Sequence, residues 1–538
     1  MGKARRSIAK ADLLVVNHHM LFSDMAIKRE MGDFTALAVL PAYRRVIFDE
    51  AHSIEDSATE YLGISATLIG SLATLGRFQR MEYQRERGLF PTLRARLMKD
   101  CPMLRVDEYD QILKLTDEQL VPALRELRAQ LKDAFQAIRE LTAINCGQIG
   151  RDIKWRLTAE VLRAPAVRAV HNEFVLPAVQ SARDFIRLGE RLLRELQKIP
   201  PAPDADEPPI ATEIFQLSGY LGRVERIANA LAECTSEELL PNTVRWVEID
   251  SHAENTVRVA RCPLEVGKPL SEWLYENLKT LVMTSATLAV EGQFRYLFSR
   301  LGLDLTDMGR IEAVSLDTPF DFEKQALLAI TTDVPNPTDD AFREDSIECL
   351  RAALEISRGH AFVLFTSFSS LEHAYRRLAN ELRAKGITPL QQGEAARTQL
   401  LERFRTNPSS VLFATDSFWE GVDVAGEALQ CVILPKLPFR VPTEPILEAR
   451  AEAIEAGGGN AFMEYSVPQA VIKFRQGFGR LIRRRTDRGV VLILDRRVLT
   501  RRYGRAFLNS LPAIRVVRGP KRGVFLALTE FFNPSTEE

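Results

Sequence analysis

Residues 44–52 read Arg-Arg-Val-Ile-Phe-Asp-Glu-Ala-His. A short apolar run, Val46–Phe48, ends abruptly in two adjacent carboxylates, Asp49 and Glu50. The pattern recurs. Leu13–Val16 stops before Asn17, Leu281–Met283 before Thr284, and Phe362–Phe365 before Thr366. Val411–Phe413 runs toward Thr415, Cys431–Leu434 toward Lys436, and Val490–Leu494 ends at Asp495. Continuous apolar runs of this length suit strands buried on both faces. Helical patterns lie between several of them. In 369–386, Ser369 and Glu372 make a capping-box pattern, Leu371, Tyr375, Leu378 and Leu382 recur at helical spacing, and Gly386 can close the end. Strand–helix alternation of this kind predicts α/β architecture with parallel sheets. Ligands in such sheets sit beyond the carboxyl ends of the strands, where these polar residues stand.

The 538 residues suffice for three or four domains of about 150 each. With 46% apolar and 27% charged residues the chain has material for buried cores. No run approaches the roughly 20 apolar residues of a membrane span, and Asp12 and Asn17–His19 interrupt any secretory leader. The expectation is a cytoplasmic protein with no membrane partner. The six cysteines (Cys101, Cys146, Cys234, Cys262, Cys349 and Cys431) contain no C-x-x-C pair and read as reduced structural thiols. Net charge is −1, which excludes a polycation but not a nucleic-acid binder, since binding depends on local basic residues. Arginine is dense between Arg475 and Arg505, as a solvated face or as a phosphate-binding one.

Residues 67–242 break the alternation. Leu120, Leu124, Leu127, Leu131, Ile138 and Leu141 lie on one helical face, with Pro122 in a first turn, and Val179, Ala182, Ile186, Gly189, Leu193 and Leu196 form a second stripe. The proline-rich 200–209 stretch reads as a loop, and the block as a helical insertion.

Four segments carry chemistry. At the acidic strand end, hydrolysis of a phosphoanhydride needs one carboxylate for Mg²⁺ and a second to orient water. Asp49 suits the metal and Glu50 the water. The hydroxyls of Thr284-Ser285-Ala286-Thr287 can hydrogen-bond a carboxylate such as these. In Gln476-Gly-Phe-Gly-Arg480-Leu-Ile-Arg483 the two arginines, three apart, project from one face if helical, and can clamp a terminal phosphate. The glycines allow close backbone approach. In Thr415–Asp423, Gly421 permits a tight turn, Asp423 can meet a ribose or an arginine, and Trp419 either stacks on a base or fills a core.

In this order the segments resemble the DinG/XPD-like iron–sulfur DNA helicases of superfamily 2. D-E-A-H at Asp49–His52 is similar to motif II, T-S-A-T-L at Thr284–Leu288 to motif III, and L-F-T-S at Leu364–Ser367 to motif IV. S-F-W-E-G-V-D-V at Ser417–Val424 is similar to motif V, with Ala425 where a proline is usual, and Q-G-F-G-R-L-I-R at Gln476–Arg483 to motif VI. Asp317–Asp321 and Leu434–Phe439 also fit. The resemblance implies two RecA-like parallel-sheet domains, the first incomplete, with an all-helical arch inserted. Residues 1–66 would be a remnant of the first domain, 67–242 the arch, 243–305 the return to the first domain, and 306–538 the second domain.

It further implies 5′-to-3′ translocation on single-stranded or forked DNA, driven by ATP hydrolysis with Mg²⁺. Asp49 would hold the metal and Glu50 act as base. His52, Gln476, Gly421 and Asp423 would serve the nucleotide, Arg480 and Arg483 its γ-phosphate, and Thr366, Ser417 and Trp419 the DNA. The family's phosphate cradle, G-x-x-x-x-G-K-[S/T], occurs nowhere in the chain, and the four cysteines of its iron–sulfur cluster, which precede motif II, are absent. The expectation is therefore a fragment inactive alone. A non-catalytic nucleic-acid-binding remnant is the main alternative, and an RNA helicase a weaker one. The first sheet, left with strands near 13, 46 and 281, should show an open edge and an incomplete core.

Overall fold

The computed structural model describes residues 8, 11–36, 38–102, 104–147, 152–201, 208–250, 256–290, 292–407, 409–415, 418–419, 424 and 426–533. They form two compact units. One takes Ala42–Glu55, Gly267–Pro442 and Ala451–Glu538, and the other takes Met1–Pro41, Asp56–Val266 and Thr443–Arg450.

The first unit holds two parallel sheets. In the smaller, β1 (Arg45–Phe48) pairs with β2 (Thr280–Met283), Phe48 opposite Met283. The larger has seven strands: β3 (Ala326–Thr331), β4 (Ala361–Leu364), β5 (Thr388–Gln391), β6 (Ser410–Ala414), β7 (Cys431–Leu434), β8 (Gly489–Ile493) and β9 (Arg515–Gly519). Their order is β5-β6-β4-β7-β8-β3-β9, and every pairing is parallel. Side chains alternate along each strand between two cores. In β3, Ala326, Leu328 and Ile330 join one cluster while Leu327 and Ala329 join the other, and in β4, Phe362 and Leu364 oppose Ala361 and Val363. Strands covered on both faces must be apolar throughout, which is why these runs read as they do.

The smaller sheet is incomplete. Ile47 is 71% exposed and Val282 41%, so two apolar residues stand on strands with no outer neighbour. One expected strand is missing. Leu13–Val16 forms none, and Leu13 and Val15 are exposed, because no neighbouring strand takes up their backbone hydrogen bonds. The helix after β4 also starts earlier than its sequence pattern indicates. It spans Phe368–Ala384 with Ser367, not Ser369, as N-cap, accepting from the Ser370 amide. Gly386 takes the left-handed conformation expected of it (φ 76°).

The second unit is mainly helical around one core. Leu124, Leu127, Leu131, Ile138 and Leu141 are buried on the helix Val121–Cys146, and Leu120 is buried just before it. Pro122 does not begin a free helix. It follows a π-helical stretch, Leu115–Leu120, that continues from the helix Val106–Lys114, so the bulge absorbs the missing N–H. Gly189 lets Leu176–Leu196 approach Ala211–Thr235, since a Cβ there would lie 2.4 Å from Leu221 Cδ2. The insertion is not wholly helical. It carries a hairpin at Arg80–Arg87 and the strand Ile153–Arg156. That strand is an edge of a four-stranded antiparallel sheet completed by Thr243–Ile249, Val257–Pro263 and Ile64–Thr67. Short strands of three or four residues lie below the resolution of a periodicity argument.

Candidate active site

Strand β1 delivers Asp49 and Glu50 to the carboxyl end of the small sheet, as β2 delivers Thr284 and Ser285. The Thr284 amide donates to the Phe48 carbonyl at 2.8 Å and the Ala51 amide to the Thr284 carbonyl at 3.0 Å. These bonds fix the two strand ends against each other. Between them Glu50 adopts φ 50°, ψ 48°, the left-handed region a non-glycine residue rarely occupies. Such a conformation costs on the order of 1–3 kcal/mol and persists where surrounding bonds enforce it. Here it turns the chain sharply into the next helix and leaves the Glu50 carboxylate exposed at the sheet's end.

The hydroxyls of 284–287 meet the acidic segment as their chemistry suggests. Thr284 Oγ1 donates to Asp49 Oδ1 at 3.2 Å, and Ser285 Oγ donates to Glu50 Oε2 at 3.1 Å. His52 Nδ1 lies 2.8 Å from Ser285 Oγ and 3.3 Å from the Glu50 carboxylate. Its Nε2 meets the Gln476 side-chain nitrogen at 2.5 Å. The ring of His52 thus bridges the Gln476 side chain on one nitrogen and the Ser285 hydroxyl and Glu50 carboxylate on the other. Hydrogen bonding from His52, then from Ser285, together with the Arg480 charge, holds the Glu50 carboxyl below the ordinary range against the opposing effect of burial. These partners favour the charged form of Glu50.

Residues more than 400 positions apart are thus brought to one place. The helix Val467–Phe478 carries Gln476 to His52. One residue earlier on the same helix, Arg475 donates to the carbonyls of Ala286 (2.7 Å) and Ala289 (2.9 Å), clamping the segment after β2. Arg475 is therefore a positioning residue that the density of arginines concealed. The helix ends at Phe478, so Arg480 and Arg483 do not share a helical face as expected. Both lie in the turn beyond it, where Gly479 starts the exit. Arg480 is buried, with Nε donating to the Trp419 carbonyl at 2.9 Å. Arg483 is exposed, its amide held by Asp487 Oδ2 at 2.8 Å. Gln325 steadies this turn by donating to the carbonyls of Arg484, Arg485 and Asp487.

The remaining expected residues divide. Ser417, Gly421 and Asp423 lie outside the described residues. Trp419 is fully buried and presents no face to a base. Its ring packs on Gly477, where an added Cβ would lie 2.8 Å from Cζ3. Gly477 therefore serves packing of the indole, not approach to a ligand. Gly477→Ala is expected to cost about 1–3 kcal/mol, read as a lower denaturant midpoint.

Thr366 lies beyond the end of β4, in the lining of a cavity of about 290 Å³ shared with Arg343, Ser370, His373 and Lys436. Burial, then the neighbouring Arg497, pulls the Lys436 ammonium below its usual range. His373 Nε2 is buried without a hydrogen bond. The lining thus combines two cations, Arg343 and Lys436, and the hydroxyls of Thr366 and Ser370 with two carboxylates, Asp339 and Asp340. Lys436 sits at a strand end in the sequence, whereas nothing in the sequence marks Arg343.

The donor sets fit the expected cofactors unequally. Asp49 is exposed, and one of its oxygens accepts from Thr284 and the Glu50 amide. A single carboxylate suits Mg²⁺, which keeps several waters and completes its shell with substrate phosphates. An iron–sulfur cluster does not fit. No three His, Cys, Asp or Glu gather among the described residues. Burial pushes the Cys234, Cys349 and Cys431 thiols up to about 12, away from the thiolate a cluster requires. No helix among the described residues is long and apolar enough to cross a membrane.

Residues 350–514, which span β4 to β8, match the family model described as a helicase C-terminal domain. The ATP-dependent DNA helicase YoaA of Escherichia coli K12 is 32% identical over 531 residues, 98% of this chain and 71% of that protein. The ATP-dependent DNA helicase DinG of Photobacterium profundum is 29% identical, across 96% of this chain and 70% of its own length. The solved structure of S. tokodaii Xpd4 shares the fold with a TM-score of 0.50 at 14% identity, covering 92% of this chain and 80% of that one. Parallel sheets whose strand ends carry an acidic pair and a hydroxyl segment, met by Arg475 and Gln476 of a later helix, are thus found in a chain that belongs to the YoaA/DinG family of ATP-dependent DNA helicases.

Proposed function

We propose that this chain carries the hydrolytic half of an ATP site and a track for single-stranded DNA, in an enzyme that moves 5′ to 3′. Asp49 would hold Mg²⁺, Glu50 would orient the attacking water, and Arg480 with Arg483 would offset charge developing on the γ-phosphate. Gln476 and His52 link the two sets of groups. The observation that carries this reading is the Gln476–His52 contact at 2.5 Å, together with the pull of Arg480 on Glu50. Thr366, with Arg343 and Lys436, would take a phosphate of the DNA backbone, and Ser417 a neighbouring one. The domain boundaries at 66, 242 and 305 and a cytoplasmic setting belong to the same reading.

No G-x-x-x-x-G-K-[S/T] segment, the usual source of the backbone N–H nest and lysine that hold β- and γ-phosphates, occurs in the 538 residues. This favours a second reading for the chain by itself, a DNA binder without fuel. Fluorescence anisotropy with a labelled single-stranded oligonucleotide separates the readings. The expected result is binding that weakens steeply with salt and does not respond to ATP. Binding that shifts with ATP would require a phosphate site in these residues, and absence of DNA binding would defeat both readings.

A further inference from the structure

The hairpin Arg80–Arg87 projects from the mainly helical unit, and its construction is unusual. Its register pairs Arg80 with Arg87, Met81 with Glu86, and Glu82 with Arg85, leaving a two-residue turn at Tyr83-Gln84. Both turn residues have positive φ, 48° and 60°. This is the backbone of a type I′ turn, which ordinarily uses Asn-Gly because left-handed residues strain any other side chain. Tyrosine and glutamine are poor turn formers here, so turn chemistry does not explain them. Tyr83 is instead 90% exposed, and Met81 beside it is also exposed.

The base of the hairpin is rigid. Gly88 (φ 125°) passes so close to the preceding helix that a Cβ would lie 2.6 Å from the Phe78 carbonyl. Phe78 packs beneath it against Phe90, Phe185 and Tyr220. Arg128 donates to the Gln79 carbonyl at 3.1 Å. A strained, exposed aromatic is thus held on a braced stalk.

Alongside lies an open groove of about 650 Å³, lined by Arg77, Arg80, Arg87, Arg96, Gln216 and Tyr220 among others. Tyr220 is flanked by two guanidiniums, Arg77 and Arg223, each 5.7 Å from its ring. Glu86 also lines the groove; Glu82 and Glu86 pair with Arg80, Arg87 and Arg94, and Arg96 pairs with Asp100 and Glu213, so the uncompensated charge beside the ring rests on Arg77 and Arg85. Among the described residues Arg77 and Arg85 have no carboxylate within ion-pair distance. A cationic groove beside an exposed ring on a rigid stalk is the combination that binds single-stranded nucleic acid, where the ring stacks on a base and the guanidiniums follow the phosphates.

We propose that the Arg80–Arg87 hairpin and the groove beneath it form a second contact for single-stranded DNA, with Tyr83 stacking on a base and Arg77 and Arg85 on adjacent phosphates. This rests on the DNA-binding reading above but concerns a different unit and different residues.

The test uses the whole chain with a labelled oligothymidylate. Tyr83→Gly is expected to weaken binding about tenfold or more, the loss of one stacked base, while leaving the melting temperature unchanged or raised, because glycine relieves the left-handed strain. Gln84→Gly relieves strain in the same turn and is expected to leave affinity unchanged. Arg85→Gln should reduce the slope of log affinity against log salt by about 0.7, one phosphate contact on a single strand. An oligonucleotide carrying 5-iodouracil should crosslink to Tyr83 or Tyr220. Full affinity in Tyr83→Gly, with crosslinks confined to residues 267–533, overturns the hairpin contact and leaves the first reading intact. If the unaltered chain binds no DNA, both fall together. If Arg77→Glu and Arg85→Gln weaken binding but Tyr83→Gly does not, the groove is a general polyanion attractor and the stacking proposal is wrong.

Discussion

Arg480→Ala is expected to lower DNA-stimulated ATP turnover by a factor of about 10³ or more, the effect of removing an arginine that offsets transition-state charge. The measurement needs a polypeptide in which a P-loop segment precedes this chain, so that the phosphates are held. Arg480 suits the role because it is buried and oriented in advance. Its Nε is committed to the Trp419 carbonyl at 2.9 Å, and its charge reaches Glu50. A guanidinium fixed in this way needs no reorganisation as charge builds on the phosphate. The lost bond from a buried guanidinium costs about 1.5–3 kcal/mol of stability, so the thermal melt should shift downward by a few degrees while turnover collapses far more than that loss of stability explains. Arg480→Lys keeps the charge but not the fork, and should recover only a small part of the rate. A rate loss no larger than tenfold would show that Arg480 serves the fold and not the phosphate.

The second expectation concerns Glu50. In the same polypeptide Glu50→Gln should reduce turnover by about 10²–10⁴, the range for loss of a positioned base. Glutamine keeps the shape and can still bond Ser285, so the fold should persist. It removes the negative charge that His52 and Arg480 stabilise. Because that carboxyl sits below the ordinary range, its charge is present at neutral pH and lost only in acid. The stability it contributes above the unfolded carboxyl's pKa is lost as pH falls through the depressed folded value. Glu50→Gly is the informative companion. It should equal Glu50→Gln in turnover and stay folded, because relief of the left-handed strain at φ 50° offsets part of the stability lost with the carboxylate's contacts. If Glu50→Gly instead unfolds the unit, the strained turn is a structural requirement and the assignment of Glu50 to water loses its support.

The sequence disclosed the site more fully than the sheet around it. Strands β4, β6, β7 and β8 are legible because burial on both faces demands unbroken apolar runs. Ala326 and Ala329 dilute the run of β3, and β9 is an edge strand whose Arg515 and Arg518 interrupt it. Leu13–Val16 shows the limit of the same rule, since an apolar run becomes a strand only where a neighbour offers its backbone. Asp49, Glu50 and the hydroxyls of 284–287 could be paired in advance by chemistry alone. The Gln476–His52 contact could not, because no local pattern links positions 424 residues apart. Nor could the roles of Arg475 and Gly477, which depend on what the helix exit faces in three dimensions. The sequence pattern around Trp419 fits a core residue or a base-stacking one equally, and its burial assigns it to the core.

Steady-state ATP hydrolysis by the 538-residue chain alone, at saturating single-stranded DNA, probes the split between a hydrolytic half-site and an absent phosphate cradle. The expected result is a rate indistinguishable from the protein-free background, unchanged by Glu50→Gln. Turnover of about 1 per second or faster, an ordinary enzyme rate, and sensitive to Glu50→Gln would contradict it, because these residues would then be holding the phosphates by means that no segment of the chain explains.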